Sequence, residues 1–174
     1  MTLKNPVDRW GGVSQTFHWL IVVLILTIAT IGLTMDSLPR TPKYFWVYTL
    51  HKSLGLTVLA LAVLRLAWRL FAGAPQAVPG TPRWQARIAG VTHWLLYVLI
   101  FAMPLSGWLY DSSSGLRPFH WFGLVNVPKL SAPNESLSEL SHQAHVTLFW
   151  VLVALVAVHV GAPFYHHLFL NDAT

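Results

Sequence analysis

Between Trp10 and Met35 the chain carries no charged residue. A helix rises about 1.5 Å per residue, so roughly 20 apolar residues cross the hydrocarbon core of a bilayer. A stretch of that kind reads as a membrane span, and the pattern recurs. Spans are expected at roughly 15–34, 46–71, 88–110 and 140–166. Asp36 and Pro39 close the first. Lys52 and Arg65 lie near the two ends of the second, where long side chains snorkel to the surface. Pro75, Pro79 and Pro82 mark a connector before the third. Pro104 lies within that third span, where a membrane helix tolerates it at the cost of a kink. A polar loop from Asp111 to Glu139 precedes the fourth. Over the 174 residues, 55% are hydrophobic and 10% charged, against about 25% charged in soluble domains. The expected fold is therefore an all-α integral membrane protein, a four-helix transmembrane bundle forming one domain over 1–174, with no room for a soluble catalytic domain.

Lys4, Asp8 and Arg9 before an apolar run resemble a secretory signal. The run exceeds a typical signal core, contains His18 and lacks a small-residue cleavage site, so it is expected to stay as a mature helix. No internal repeat of the kind found in inverted-repeat transporters is visible.

The formal charge of +5 comes from residues at the ends of apolar runs, which fits membrane topology better than nucleic-acid binding. Lys4, Arg9, Arg65, Arg69, Arg83 and Arg87 fall on one side, and Arg40, Lys43, Lys52, Arg117 and Lys129 on the other. The first side has the tighter basic flanks, opposed only by Asp8 and Asp172. The positive-inside rule thus places both termini in the cytoplasm. Tryptophans 10, 19, 46, 84, 94, 108 and 121 fall near helix ends, as an aromatic belt does.

With no cysteine and nine histidines, iron–sulfur clusters and thiolate-held metals are excluded and imidazole is left as the ligand. A ligand-type side chain inside a membrane is costly and marks function by default, although a lone membrane histidine often serves only as an interhelical hydrogen-bonder. His145 and His159 are 14 residues apart, about 40° short of four full turns. They share one face about 21 Å apart, too far for one metal and suitable for two cofactors stacked across the bilayer. The fourth helix enters from the outer side, so His145 is outer and His159 inner. The pairs must then be His51 with His145 and His18 with His159, in either orientation of the whole bundle. Two imidazoles from facing helices suit bis-histidine haem, which favours electron transfer over oxygen binding. Zinc or copper wants three or four ligands in one cluster.

His142 competes with His145, but its 17-residue spacing from His159 turns it about 100° away. His93 has no evident mate and reads either as a residue beside a haem or quinone or as an interfacial histidine. His166 follows His159 by one heptad and can meet a haem propionate, while His120 and His167 read as solvated. Arg65 and Arg69, one turn apart, either pair with inner-haem propionates or anchor topology. Lys52 can act in the same way at the outer face.

Phe17-His18-Trp19, His51-Lys52-Ser53-Leu54-Gly55, Leu64-Arg65-Leu66 with Arg69, Pro104 with Gly107, and His145 to His159 followed by His166-His167 resemble the bacterial cytochrome b561 family, in particular its superoxide oxidase-like members. The resemblance covers nearly the whole chain except the loop 111–139. It implies two haem b groups on the four histidines derived above and electron exchange with membrane quinone. In some members it implies oxidation of superoxide with ubiquinone as acceptor. The expected activity is therefore a superoxide:ubiquinone oxidoreductase, with Arg40, Lys43, Lys52, Arg117 and Lys129 steering the anion. Lipid phosphate is the competing role for these cations, and Asp36, Asp111, Glu135 and Glu139 dilute their field. A rival reading is an electron relay from quinol to a periplasmic protein, or the cytochrome subunit of a larger respiratory complex, using Trp121, Phe122 and Leu124 as a protein-binding face. A haem-free structural subunit is the third, and colour discriminates it.

Overall fold

The structure is a computed structural model that describes residues 5–6, 9–39, 41–76 and 80–165, with side chains up to Gly161. Lys4, Asp8, Arg40, His166, His167 and Asp172 lie outside the described residues. Four helices dominate: α1 (Gly12–Met35), α2 (Phe45–Ala72), α3 (Arg83–Ser113) and α4 (Glu135–Tyr165). All four are long and apolar enough to cross a membrane. A 3-10 turn (Pro42–Tyr44) leads into α2, and a two-stranded antiparallel hairpin, β1 (His120–Trp121) with β2 (Val125–Asn126), lies between α3 and α4.

The helices outrun the expected spans at their polar ends. Asp111, Ser112 and Ser113 form the last turn of α3, and Glu135 to Glu139 the first turns of α4. Charge marks where a helix leaves hydrocarbon, and backbone hydrogen bonding carries the coil on into the headgroup region. The loop expected over 111–139 is correspondingly shorter, and it contains a hairpin.

Consecutive helices are neighbours, α1 with α2, α2 with α3 and α3 with α4. Among the described residues no Cα of α4 comes within 8 Å of one in α1 or α2. A small core joins the first three helices: Ile21, Val58, Ala62 and Ile100, with Leu24, Ile25, Ile28, Leu61 and Phe101 against them. Lipid is as apolar as leucine, so close packing rather than water exclusion holds such a core, and Ala62, 1% exposed, lets backbones approach. The hydroxyls of Thr27, Thr30 and Thr34 donate back to carbonyls four residues earlier at 2.8–2.9 Å, so none of these three hydroxyls is left bare toward lipid.

The ends are tied by side chains. Asn5 accepts from the Gly11 N–H and from Ser14 Oγ and donates to the Gly73 carbonyl at 2.6 Å, fastening the start of α1 to the end of α2. At the opposite end Asn134 Oδ1 caps α4 by accepting from the Leu137 N–H. The backbone passes through the left-handed region at Phe122 (φ 48) and Gly123 (φ 75) in succession. Glycine takes that conformation freely, whereas for Phe122 it costs about 1–2 kcal/mol.

Candidate functional site

α4 carries His145 near its start and His159 near its end, one on each level of the bundle. At the level of the α3–α4 loop, the expected outer end, His145 faces His51 of α2 with ring centroids 6.2 Å apart and planes at 76°. At the other level His159 faces His18 of α1, with centroids 6.4 Å apart and planes at 87°. Both pairs bridge helices whose backbones stay more than 8 Å apart, so each spans a slot rather than a packed contact.

Those separations decide what fits. Direct hydrogen bonding would draw facing ring nitrogens to about 3 Å. Two imidazole nitrogens each about 2 Å from a shared metal stand about 4 Å apart, which puts ring centroids about 6 Å apart. Both pairs have the spacing of imidazoles that share an axial metal. Among the described residues no group of three or more metal-ligating side chains assembles, so the remaining coordination positions suit a ligand that brings its own equatorial donors, as haem does.

The ring nitrogens are arranged accordingly. His145 Nδ1 lies 3.0 Å from the Met103 carbonyl and 3.0 Å from Ser106 Oγ, and the Ser106 hydroxyl donates to the same carbonyl at 2.7 Å. A carbonyl only accepts, so Nδ1 carries the proton and Nε2 keeps its lone pair for a metal. Among the described residues, Nδ1 of His18 is buried with no hydrogen-bond partner, and the buried His51 ring lies beside the Ile28 backbone. Two glycines seat the outer rings. A Cβ at Gly32 would lie 3.1 Å from His51 Cε1, and one at Gly107 would lie 3.1 Å from His145 Cε1 and 3.2 Å from Nδ1. Gly107 appeared in the sequence motif, but its reason is visible only once α3 and α4 are packed.

The inner level holds more. The His93 ring lies 5.3 Å from that of His159, closer than His18, so the mate that spacing could not find is the inner pair itself. Arg65 lies over Tyr97 at 5.4 Å, and Arg69 lies 5.5 Å from each of Trp10, Trp94 and Tyr97. Neither arginine forms an ion pair among the described residues, which leaves both guanidinium groups available to an anion.

At the outer level Lys52 is committed to the protein. Its Nζ meets Asp111 Oδ1 at 2.8 Å while Lys129 Nζ meets Oδ2 at 3.1 Å and the Asp111 carbonyl at 2.9 Å. Asp111, 4% exposed, therefore does more than dilute a surface field: it fastens α2, α3 and the loop beside His51. His142 turns away from the slot, its ring 4.9 Å from Tyr110, as its place on the helical wheel requires. Lys43 and Arg117 are exposed, as is His120 on β1.

A family model described as prokaryotic cytochrome b561 matches residues 9–174. The chain is 30% identical to "Cytochrome b561 homolog 2" of Escherichia coli (strain K12) over an alignment of 175 residues, covering 100% of this chain and 93% of that protein. It is 27% identical to "Cytochrome b561 homolog 1" of the same organism, over 97% of this chain and 95% of the other. It is 28% identical to "Probable superoxide oxidase CybB" of Yersinia pestis, over 90% of this chain and 88% of that one.

Proposed function

Since the chain belongs to the prokaryotic cytochrome b561 family, whose members are multi-pass membrane haem b electron-transfer proteins, we propose that it holds two b haems and passes electrons from superoxide to ubiquinone. The outer haem is assigned to His51 and His145, and the inner to His18 and His159. The supporting observation is the pair of 6.2 and 6.4 Å imidazole separations across open slots. Bound haem supplies reversible one-electron chemistry.

The residues do the rest. Each histidine pair would hold one haem and leave no open position for an oxygen species, so the electron transfer that the haem supplies would be outer-sphere. Met103 and Ser106 hold His145 in one tautomer and orientation. Arg65 and Arg69 offer cations to the propionates or to the quinone end. Lys43 and Arg117 attract the superoxide anion, while Lys52 and Lys129 share Asp111 and leave a single net positive charge there. Two superoxide anions each give up one electron and leave as oxygen. One ubiquinone takes both electrons with two protons and leaves as ubiquinol. In this reading the chain lies in the bacterial inner membrane with both termini cytoplasmic.

A second reading draws on the two Escherichia coli relatives, which carry only a cytochrome name: a quinol-linked carrier delivering electrons to a periplasmic protein or a respiratory complex. Rapid mixing of the purified oxidised protein with a superoxide source separates them. Fast haem reduction, insensitive to catalase and abolished by superoxide dismutase, with ubiquinol formed when ubiquinone is supplied, supports the oxidase. Slow or no reduction in a protein readily reduced by quinol favours the carrier.

A further inference from the structure

The α3–α4 loop contains a hairpin that the histidine chemistry does not use. Trp121 Nε1 donates to the Ser53 carbonyl at 3.1 Å and to Thr57 Oγ1 at 3.2 Å, and the Phe122 N–H donates to Ser53 Oγ at 3.0 Å. The hairpin therefore packs on α2, and Ser53 beneath it is 0% exposed. Ser53 follows His51 by two residues, which turns it about 200° around the helix. The hairpin accordingly occupies the α2 face turned away from the His51–His145 slot.

Its depth is fixed by the same bonds. Ser53 and Thr57 lie about 12 and 18 Å along the axis from the start of α2, and both belong to a helix long and apolar enough to span the membrane. His51, beside Ser53, packs against Gly32, which itself sits inside the apolar run of α1. Lys52, one residue before Ser53, is paired with Asp111 in the last turn of α3, where charge marks the exit from hydrocarbon, so the hairpin is held at the outer boundary of the hydrocarbon rather than projecting beyond the helices.

Its chemistry matches that depth. Residues 121–126 carry no charge. Phe122, Leu124 and Val125 are 44%, 80% and 56% exposed. Irregular backbone open to lipid is excluded from the hydrocarbon core, so such a tip belongs at the boundary, where headgroup water reaches its carbonyls. Its three donors are met within the protein: Phe122 N–H on Ser53 Oγ, Gly123 N–H on the His120 carbonyl at 3.1 Å, and Leu124 N–H on the Trp121 carbonyl at 2.9 Å. Arg117 and Lys129 flank the apolar tip in sequence, as cations flank inserts that reach from the headgroups into the acyl region.

We propose that the 121–125 hairpin is an interfacial membrane insert, with Phe122, Leu124 and Val125 seated at the headgroup–acyl boundary of the outer leaflet on the perimeter of α2. Lipid, rather than a periplasmic protein, covers this apolar tip, and a soluble electron partner is left the charged part of the outer face. The inference stands apart from the haem assignment and from the identity of the electron donor.

The chain has no cysteine, so a single nitroxide at Leu124→Cys reports without background. The full-length protein is placed in phosphatidylcholine–phosphatidylglycerol nanodiscs. Collisions with oxygen, which concentrates in lipid, are compared with collisions with a water-soluble nickel chelate. Val98→Cys on α3, at a side chain 60% exposed, gives the lipid reference, and Ser136→Cys in the first turn of α4 gives the aqueous one. The expected oxygen-to-chelate ratio at Leu124 is several-fold above that at Ser136 and below that at Val98. A ratio matching Ser136 overturns the proposal in favour of a water-exposed tip. Protection from both reagents overturns it in favour of a protein partner or a second copy.

Discussion

At the outer level the histidine pair is held from several sides: His145 by Met103 and Ser106, both rings by glycine seats, and α2, α3 and the loop to one another by Lys52 and Lys129 on one buried aspartate. At the inner level His159 sits between two imidazoles, and the cations beside it rest on aromatic faces. The outer end is built from directional bonds that fix one geometry. The inner end is built from contacts that tolerate several, with positive charge left over. A site that only relays electrons gains from rigidity, whereas one that must admit and release a bulky headgroup gains from looseness and spare donors.

Breaking the outer pair should have the largest effect. His51→Ala or His145→Ala is expected to lose the outer haem and keep the inner one, measured as haem per protein and by redox titration; both haems persisting in either variant would refute the pairing. Next comes crowding of the ring seat. Gly107→Val overpacks His145 at a cost of about 1–3 kcal/mol, so outer haem retention should weaken roughly tenfold. Gly90→Val, where nothing lies within 4 Å, should leave it unchanged, and equal effects at both positions would remove the distinction between the ends.

Asp111→Asn strands two lysines. Hydrogen bonds to charged groups contribute about 1.5–3 kcal/mol, and the lysines at 29% and 32% exposure argue for discounting toward about 2 kcal/mol of unfolding stability. Arg69→Gln, which gives up only aromatic contacts, should cost about 1 kcal/mol. Thermal unfolding in detergent ranks the two, and the reverse order would mean that the inner cations carry more structure than their contacts show. The smallest effect on haem content is expected from His93→Ala, which should retain both haems. Loss of the inner one would make His93, rather than His18, the partner of His159.

The four spans were legible because membrane insertion imposes a one-dimensional rule: enough apolar residues in a row. The depth of the histidines was legible for the same reason, since 3.6 residues per turn and alternating helix direction leave few ways to pair His18, His51, His145 and His159. What stayed hidden depends on packing between helices. Nothing in the spacing of His93 points to His159, nothing around Asp111 announces that it will hold Lys52 and Lys129, and a glycine at 32 reads as one small residue among many until His51 lies against it. The hairpin was hidden because its turn, Phe122-Gly123, places a bulky residue where turn chemistry favours small polar ones.

The spacing of His145 and His159 along α4 has an electrical consequence. About 21 Å of helix separates them in a hydrocarbon layer about 30 Å thick, so an electron exchanged between the two levels moves through about two-thirds of the transmembrane voltage. A full crossing is worth about 2.3 kcal/mol per 100 mV, which makes this step worth about 1.5. In the proposed direction, from the outer to the inner level, the electron climbs toward the negative side. Under the proposed reaction and orientation, an energised membrane would restrain turnover and a depolarised one would release it, so that the rate would follow the energy state of the membrane.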